Sequence, residues 1–138
     1  MRELEFRAWD TEAKCYIKEP ILVDNFGNVY EVCEESSPVK GTCLITGKPN
    51  VILEQYTGVK DDNDKEIAEG DIVKFRGRFY EVVFDDYGQF CLDNKKYHWL
   101  ENRYSFNSVN IWKGDEILVE IVGNIHEHPE LLETKNVD

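Results

Sequence analysis

The stretch TGVKDDNDKEIAEGDIVKF, residues 57–75, indicates the fold, because acidic turn residues are followed directly by a strand pattern. Its first half places Asp61, Asp62 and Asp64 close together. Such a cluster has two interpretations, a binding site for a cation or a turn between two strands. Asp and Asn tolerate the left-handed backbone conformation and accept hydrogen bonds from their own main chain, which makes them common in turns.

A calcium-binding EF-hand loop is the most specific form of the cation interpretation, and the sequence excludes it. Counted from Asp61, such a loop needs an acidic or amide residue at the fifth position, glycine at the sixth and glutamate at the twelfth. This chain has Lys65, Glu66 and Ile72 at those positions. We therefore interpret KDDNDKEI as a turn that links a strand at LEQYTGV to the next segment.

The residues that follow this turn have the pattern of a small barrel. Gly70 supplies an unusual backbone angle and Asp71 can close a local turn, just before a β-branched pair. The runs DIVKF, RFYEVVF, QFCL and EILVEIVGNI are rich in strand formers and are separated by turn residues. Short antiparallel strands at this spacing predict a barrel. The segment SVNIW predicts one more strand.

The N-terminal half also consists of short strand patterns. ELEFRAW alternates apolar and charged residues, and CYI returns as its hairpin partner. ILVDNFGNVYEV predicts a hairpin around Gly27-Asn28, and EESSPVKGTCLITGKPN predicts a long loop with one short strand or helical turn near TCLIT. We expect a mainly β protein with some α+β character. Its parts are a β-rich subdomain at 1–69, an SH3-like barrel at 70–125 and a short helical or frayed tail at 126–138.

Composition limits the cellular setting and the partners. The formal net charge is −12, which disfavours binding to the phosphate backbone of nucleic acids and suits a protein partner with a basic face. The start of the chain is charged where a signal peptide is apolar, and no apolar run is long enough to cross a bilayer. We expect a soluble cytoplasmic protein without membrane contact. Its cysteines (Cys15, Cys33, Cys43 and Cys91) lack the paired spacing of a zinc site.

The stretch QYTGVKDDNDKEIAEGDIV resembles the signature of the YopX family, small phage and prophage proteins of Gram-positive bacteria. EFRAWD and VGNIHEHPELL are similar to the same family, so the resemblance spans nearly the whole chain. It implies an SH3-like barrel in the C-terminal half and no particular activity. Relatives commonly have Asn-Gly where this chain has Asn63-Asp64. The signature residues, which we interpret as structural, are Arg7, Trp9, Asp10, Tyr56, Thr57, Gly58, Asp61, Gly70 and Asp71.

Two pairs of residues have the chemistry of a metal or catalytic site without its full set. His126 and His128 would share one face of a strand and could reach one metal ion, but no third ligand is evident. Cys91 and His98 have the types of a nucleophile and a base, but no motif surrounds either. We therefore predict that the protein is not an enzyme and has no metal or cofactor.

Basic and aromatic side chains around KKYHWLENRY and the turn before RFYEVVF form a candidate binding rim. Aromatic rings stack on bases and cations neutralise phosphates, which is how single-stranded nucleic acid is held. The alternative, favoured by the negative net charge, is that the aromatics cover the barrel and the cations decorate its edge. The residues of this rim are Arg76, Arg78, Lys95, Lys96, Tyr97, Trp99 and Arg103.

The sequence supports one function hypothesis and one main alternative, and a metal-dependent enzyme that uses His126 and His128 is the third hypothesis. The acidic surface, the missing catalytic set and the expected binding-module fold favour a non-enzymatic protein-binding module, an accessory protein of a phage or prophage. The alternative is a nucleic-acid-binding module that uses the basic and aromatic rim. Edge strands and exposed aromatics also allow self-association into a homo-oligomer.

Overall fold

The computed structural model of the protein describes residues 5–33, 44–94 and 104–133. It is mainly β, which confirms the predicted fold class. Contacts between residues divide the chain into two compact units, Met1–Gln55 and Tyr56–Asp138. The predicted boundary after residue 69 and the SH3-like closure of the barrel stay predictions.

The first unit contains two sets of antiparallel strands. In one, β1 lies between β2 and the first half of β6; in the other, β4 lies between β3 and β5. The hairpin expected between ELEFRAW and CYI and the one expected around Gly27-Asn28 are therefore confirmed, and the segment near TCLIT is a strand. The strands are β1 (Phe6–Asp10), β2 (Cys15–Tyr16), β3 (Ile21–Val23), β4 (Val29–Cys33), β5 (Leu44–Gly47) and β6 (Val51–Lys60).

The second unit is built on a five-stranded antiparallel sheet of order β11-β10-β9-β8-β14. The second half of β6 pairs with β7, and β12 pairs with β13. The strands are β7 (Glu66–Ala68), β8 (Asp71–Phe75), β9 (Arg78–Phe84), β10 (Phe90–Asp93), β11 (Tyr104–Ser105), β12 (Trp112–Lys113), β13 (Glu116–Ile117) and β14 (Glu120–Asn124).

Two short helical turns complete the second unit. The prediction of a strand over SVNIW is wrong for most of its length, because Val109–Ile111 forms a 3₁₀ turn and only Trp112 enters β12. The Ser108 hydroxyl accepts a hydrogen bond from the Asn110 N–H and so favours the turn over an extended chain. Pro129–Glu133 forms the short helix expected at PELLE.

A cluster of aromatic and branched side chains fills the core of the second unit. The rings of Phe75, Tyr80 and Tyr104 meet at tilted or edge-on angles, with centroids 5.3 to 6.3 Å apart. These are favourable arrangements for ring quadrupoles. The buried members around them are Ile67, Val73, Val82, Phe90, Leu92, Phe106, Ile111, Ile117 and Val119. The described residues contain no helix with the length and hydropathy of a membrane span.

Candidate functional site

The aspartate cluster forms a turn that is held by one buried carboxylate. Asp61 is 5% exposed, and its Oδ1 accepts hydrogen bonds from the N–H groups of Asn63 and Lys65 at 2.9 and 2.8 Å. Its Oδ2 accepts a third hydrogen bond, from the N–H of Ile121 in β14, at 2.9 Å. The carboxylate therefore accepts hydrogen bonds from the backbone of the turn and of a distant strand. The bonds within the turn are those that the turn interpretation of the sequence predicts.

The Tyr56-Thr57-Gly58 part of the signature shapes a bulge in β6. Gly58 has a φ of 83°, and the pairing of β6 with β7 shifts between Tyr56 and Lys60. The Thr57 hydroxyl donates to the carbonyl of Ile67 at 2.9 Å and accepts from the N–H of Val59. A glycine is needed here because side chains rarely adopt this backbone conformation.

Gly70 and Asp71 turn the chain into β8 as predicted. Gly70 has a φ of 84°, and Asp71 is 3% exposed. The Asp71 Oδ2 accepts a hydrogen bond from the N–H of Ala68 at 2.8 Å, which closes the local turn. Gly70 and Asp71 therefore both stabilise the backbone conformation of this turn.

The N-terminal signature residues surround a buried glutamate. Arg7 Nε and the Tyr16 hydroxyl donate to the same oxygen, Glu54 Oε1, at 2.9 and 2.8 Å. The Arg7 guanidinium also lies 4.5 Å from the centre of the Tyr16 ring, and Trp9 packs against that ring edge-on. Glu54 is 4% exposed, so these hydrogen bonds compensate for the desolvation of its carboxylate.

Asp10 takes the turn position expected of it. Its Oδ1 accepts hydrogen bonds from the N–H groups of Ala13 and Glu12, at 3.0 and 2.9 Å. These bonds lower the pKa of Asp10 below its usual value, because they stabilise the ionised carboxylate. The signature of both units thus consists of residues that hold turns, a bulge and a buried ion pair.

The histidine pair is not arranged as the metal hypothesis required. His126 and His128 follow β14 in a turn, so they do not share the face of a strand. His128 Nδ1 accepts a hydrogen bond from the N–H of Asn124 at 3.3 Å, and the Asn124 Oδ1 accepts from the N–H of His126. Within residues 5–33, 44–94 and 104–133, no group of three or more His, Cys, Asp or Glu side chains is placed to hold a metal ion.

The structure describes two residues of the predicted basic and aromatic rim, Arg76 and Arg78. Arg76 is exposed at the turn between β8 and β9, where its guanidinium lies 5.0 Å from the centre of the Phe75 ring, and Arg78 begins β9 half-buried. Cys91, weighed as a nucleophile, is 1% exposed within β10. The remaining rim residues and the histidine paired with Cys91 lie outside the described residues: Lys95, Lys96, Tyr97, His98, Trp99 and Arg103.

An open groove of about 570 Å³ lies in the second unit beside the aspartate turn. One wall is the turn after β6, and the other is the hairpin of β12 and β13. Trp112 is half-buried in this wall, and its indole N–H donates to the carbonyl of Phe106 at 2.8 Å, which fixes the ring. The lining residues are Gly58, Val59, Lys60, Asp61, Asp62, Asp64, Trp112, Asp115, Glu116 and Ile117.

The groove is strongly acidic. It is lined by five carboxylates and one cation, Lys60, whose ammonium lies 3.7 Å from the exposed carboxylate of Asp64. Desolvation raises the pKa of Asp62 above its usual value, and the neighbouring charges of Asp61 and Glu120 raise it further. The arrangement can therefore attract a cation and place an aromatic surface beside it.

Sequence reasoning missed the groove because its two walls are far apart in the chain. Asp62 and Asp64 lie close together in the sequence, but Trp112, Asp115 and Glu116 follow about fifty positions later. A local signal is the turn sequence Lys113-Gly114-Asp115, where Gly114 has a φ of 64°. Such a turn indicates a hairpin and does not indicate which residues the hairpin faces.

Comparison with known proteins identifies a family and a similar solved structure. No curated protein is significantly similar to the chain. The structure is similar to the crystal structure of protein EF1440 from Enterococcus faecalis, with a TM-score of 0.59 and 27% sequence identity, over 96% of this chain and 99% of that chain. The model of the family described as "YopX protein" matches residues 5–133, nearly the whole chain. Together with the signature residues described above, this match shows that the chain belongs to the YopX family.

Proposed function

We propose that this YopX-family protein is a non-enzymatic accessory protein of a phage or prophage, and that it binds another protein in the cytoplasm of the bacterial host. The observation that carries the proposal is the open groove between the aspartate turn and the hairpin of β12 and β13. A concave surface with charged walls and a fixed indole is suited to recognition of a partner. The family resemblance supports the phage or prophage origin that we propose.

The lining of the groove favours binding over nucleophilic catalysis. It contains carboxylates, one lysine, an indole and aliphatic groups, and it contains no histidine, cysteine or serine. Asp61, its most buried carboxylate, already accepts three backbone hydrogen bonds and is engaged in structure. The exposed carboxylates of Asp62, Asp115 and Glu116 remain at the surface where a partner would meet them.

Exposed apolar side chains near turns give further support. Phe26 is 84% exposed after β3, and Tyr87 is 87% exposed in the turn between β9 and β10. Large aromatic side chains at loop tips are enriched among residues that anchor protein interfaces. They are available for contacts in addition to the groove.

Affinity capture from a lysate of the bacterial host tests the proposal. The tagged protein is incubated with lysate before and after nuclease treatment, and bound proteins are identified by mass spectrometry. We expect a partner that stays bound after nuclease treatment. Recovery of no protein above background would contradict the proposal, and recovery that vanishes with nuclease would instead favour the nucleic-acid alternative and its rim around Arg76.

A further inference from the structure

We propose that the acidic groove holds a lysine or arginine side chain that is presented by a basic segment of the partner protein. This inference rests on the proposed function and adds the chemistry of the partner to it. The shape of the groove, its excess of negative charge and the fixed position of its indole support the proposal.

The groove is large enough for a long side chain with a charged end, and part of its lining is apolar. Its volume of about 570 Å³ falls in the range of sites that enclose small ligands. Val59, Trp112 and Ile117 line it and pack against the core, so they offer an apolar surface for an aliphatic stem. Long cationic side chains bury such stems while the charged head stays at polar groups.

The indole of Trp112 is already oriented before any partner binds. Its N–H donates to the Phe106 carbonyl, which holds the ring without help from a ligand. A guanidinium or ammonium near the face of a tryptophan gains a cation–π interaction. Because the ring is fixed, little side-chain entropy is lost on binding.

The carboxylates of the groove lack matching cations among its lining residues. Lys60 faces the exposed Asp64, whereas Asp62, Asp115 and Glu116 lie on the two walls. Desolvation raises the pKa of Asp62, and repulsion by the charges of Asp61 and Glu120 raises it further. A cation in the groove would relieve this repulsion, so the groove is electrostatically complementary to a basic segment.

Titration with two synthetic peptides tests the inference. One is a fluorescent Gly-Ser peptide that carries several arginines, and the other has the neutral isostere citrulline at the same positions. We expect the arginine peptide to bind at low salt and to shift the amide resonances of residues 58–64 and 112–117, and the citrulline peptide to bind at least about tenfold more weakly.

Matched variants separate the groove from the general negative charge. Asp62→Asn combined with Asp115→Asn removes two charges from the groove, and Asp86→Asn combined with Glu19→Gln removes two exposed charges elsewhere. We expect the groove variant to lose about fivefold in affinity for the arginine peptide, because two exposed ion pairs are removed, and the control variant to lose less than twofold.

Three results would overturn the inference. They are equal losses in both variants, resonance shifts spread evenly over the acidic surface, and equal affinity for free spermine, which has the charges but no peptide chain. The failure of the inference is distinguishable from that of the proposed function. A partner captured from lysate equally well by the wild type and by the groove variant would sink the groove inference and leave the protein-binding function standing.

Discussion

At the scale of single residues, the acidic cluster separates into carboxylates with different roles. Asp61 is buried and accepts three backbone hydrogen bonds. Asp62 is exposed, although its pKa is raised, and Asp64 occupies the left-handed backbone region with a φ of 66°. Asp61 thus holds the turn, and Asp62 adds negative charge to the groove. Asp64 adopts a backbone conformation that glycine adopts more readily.

Replacing Asp61 by alanine should destabilise the protein by about 2–3 kcal/mol, because the N–H of Ile121 and those of the turn lose their acceptor. Urea unfolding followed by circular dichroism measures this change. Asp62→Ala is the matched control, since it removes the same charge from an exposed neighbour. Equal losses in the two variants would show that Asp61 acts through charge alone.

Replacing Asp64 by glycine should stabilise the protein by about 0.5 kcal/mol, because glycine adopts a φ of 66° without steric cost. The exposed ion pair with Lys60, at 3.7 Å, contributes little and offsets only part of the gain. Thermal unfolding of the wild type, Asp64→Gly and Asp64→Ala should give the order Gly, Asp, Ala from most to least stable. A lower melting temperature for the glycine variant would contradict the prediction.

Replacing Asp62 by asparagine should raise the stability at neutral pH. The folded-state pKa of Asp62 is raised from the usual 3.8. At pH values above 3.8 the ionised carboxylate is therefore less favourable in the folded protein than in the unfolded chain. The stability associated with protonated Asp62 is fully present below pH 3.8 and is lost as pH rises through the folded-state pKa. The midpoint of urea unfolding, measured against pH, should therefore favour the variant at neutral pH and converge with the wild type in acid. A constant difference would contradict this mechanism.

At the scale of elements, β14 shows how a strand and its following turn depend on each other. Its pairing with β8 shifts between Ile121 and Gly123, which marks a bulge. The ring of His128 then folds back over Gly123, where an added Cβ would lie 2.6 Å from Nδ1. The histidine that invited a metal hypothesis is therefore a packing partner of a glycine.

Gly123→Ala should destabilise the protein by about 1–3 kcal/mol, because the new methyl group meets the His128 ring and one of them must shift. The double variant with His128→Ala should recover part of this loss. Urea unfolding of both single variants and the double variant gives the coupling between the two sites. Strictly additive losses would show that the methyl group is tolerated and that the cost lies in the backbone.

At the scale of the whole molecule, the two units differ in how much they bury. The described core cluster lies entirely in the second unit. Among the described residues of the first unit, the buried side chains are Ala8, Trp9, Val29 and Glu54. Local stability follows buried apolar contacts, so the first unit should open more readily than the second.

Native-state hydrogen exchange should resolve this difference. We expect the amides of β8, β9 and β10 to exchange at least about tenfold more slowly than the paired amides of β3 and β4. Comparison within one sample removes differences in pH and temperature. Equal protection across both sets would mean that the units unfold together despite their different cores.

Much of the fold was predictable because it depends on neighbours in the chain. The hairpin at Gly27-Asn28 and the turn at Gly70-Asp71 have local causes, a permissive glycine and a short polar side chain. The strand over SVNIW was mispredicted because the hydroxyl of Ser108 stabilises a 3₁₀ turn that β propensity does not register. The candidate site was largely unpredictable, since packing of β6 and of the β12–β13 hairpin against the core cluster brings its walls together.

The sequence by itself determined the family, the mainly β class, the acidic charge and the turn chemistry of Asp10, Asp61 and Gly70, all of which depend on composition and short-range backbone preference. Only the tertiary structure decided that Asp61 accepts from Ile121, that His128 packs on Gly123, and that Trp112 and Asp62 line one groove. The physical reason is the separation along the chain of the residues that interact. Turns are governed by adjacent residues, whereas a groove forms where packing of a buried core brings remote strands side by side.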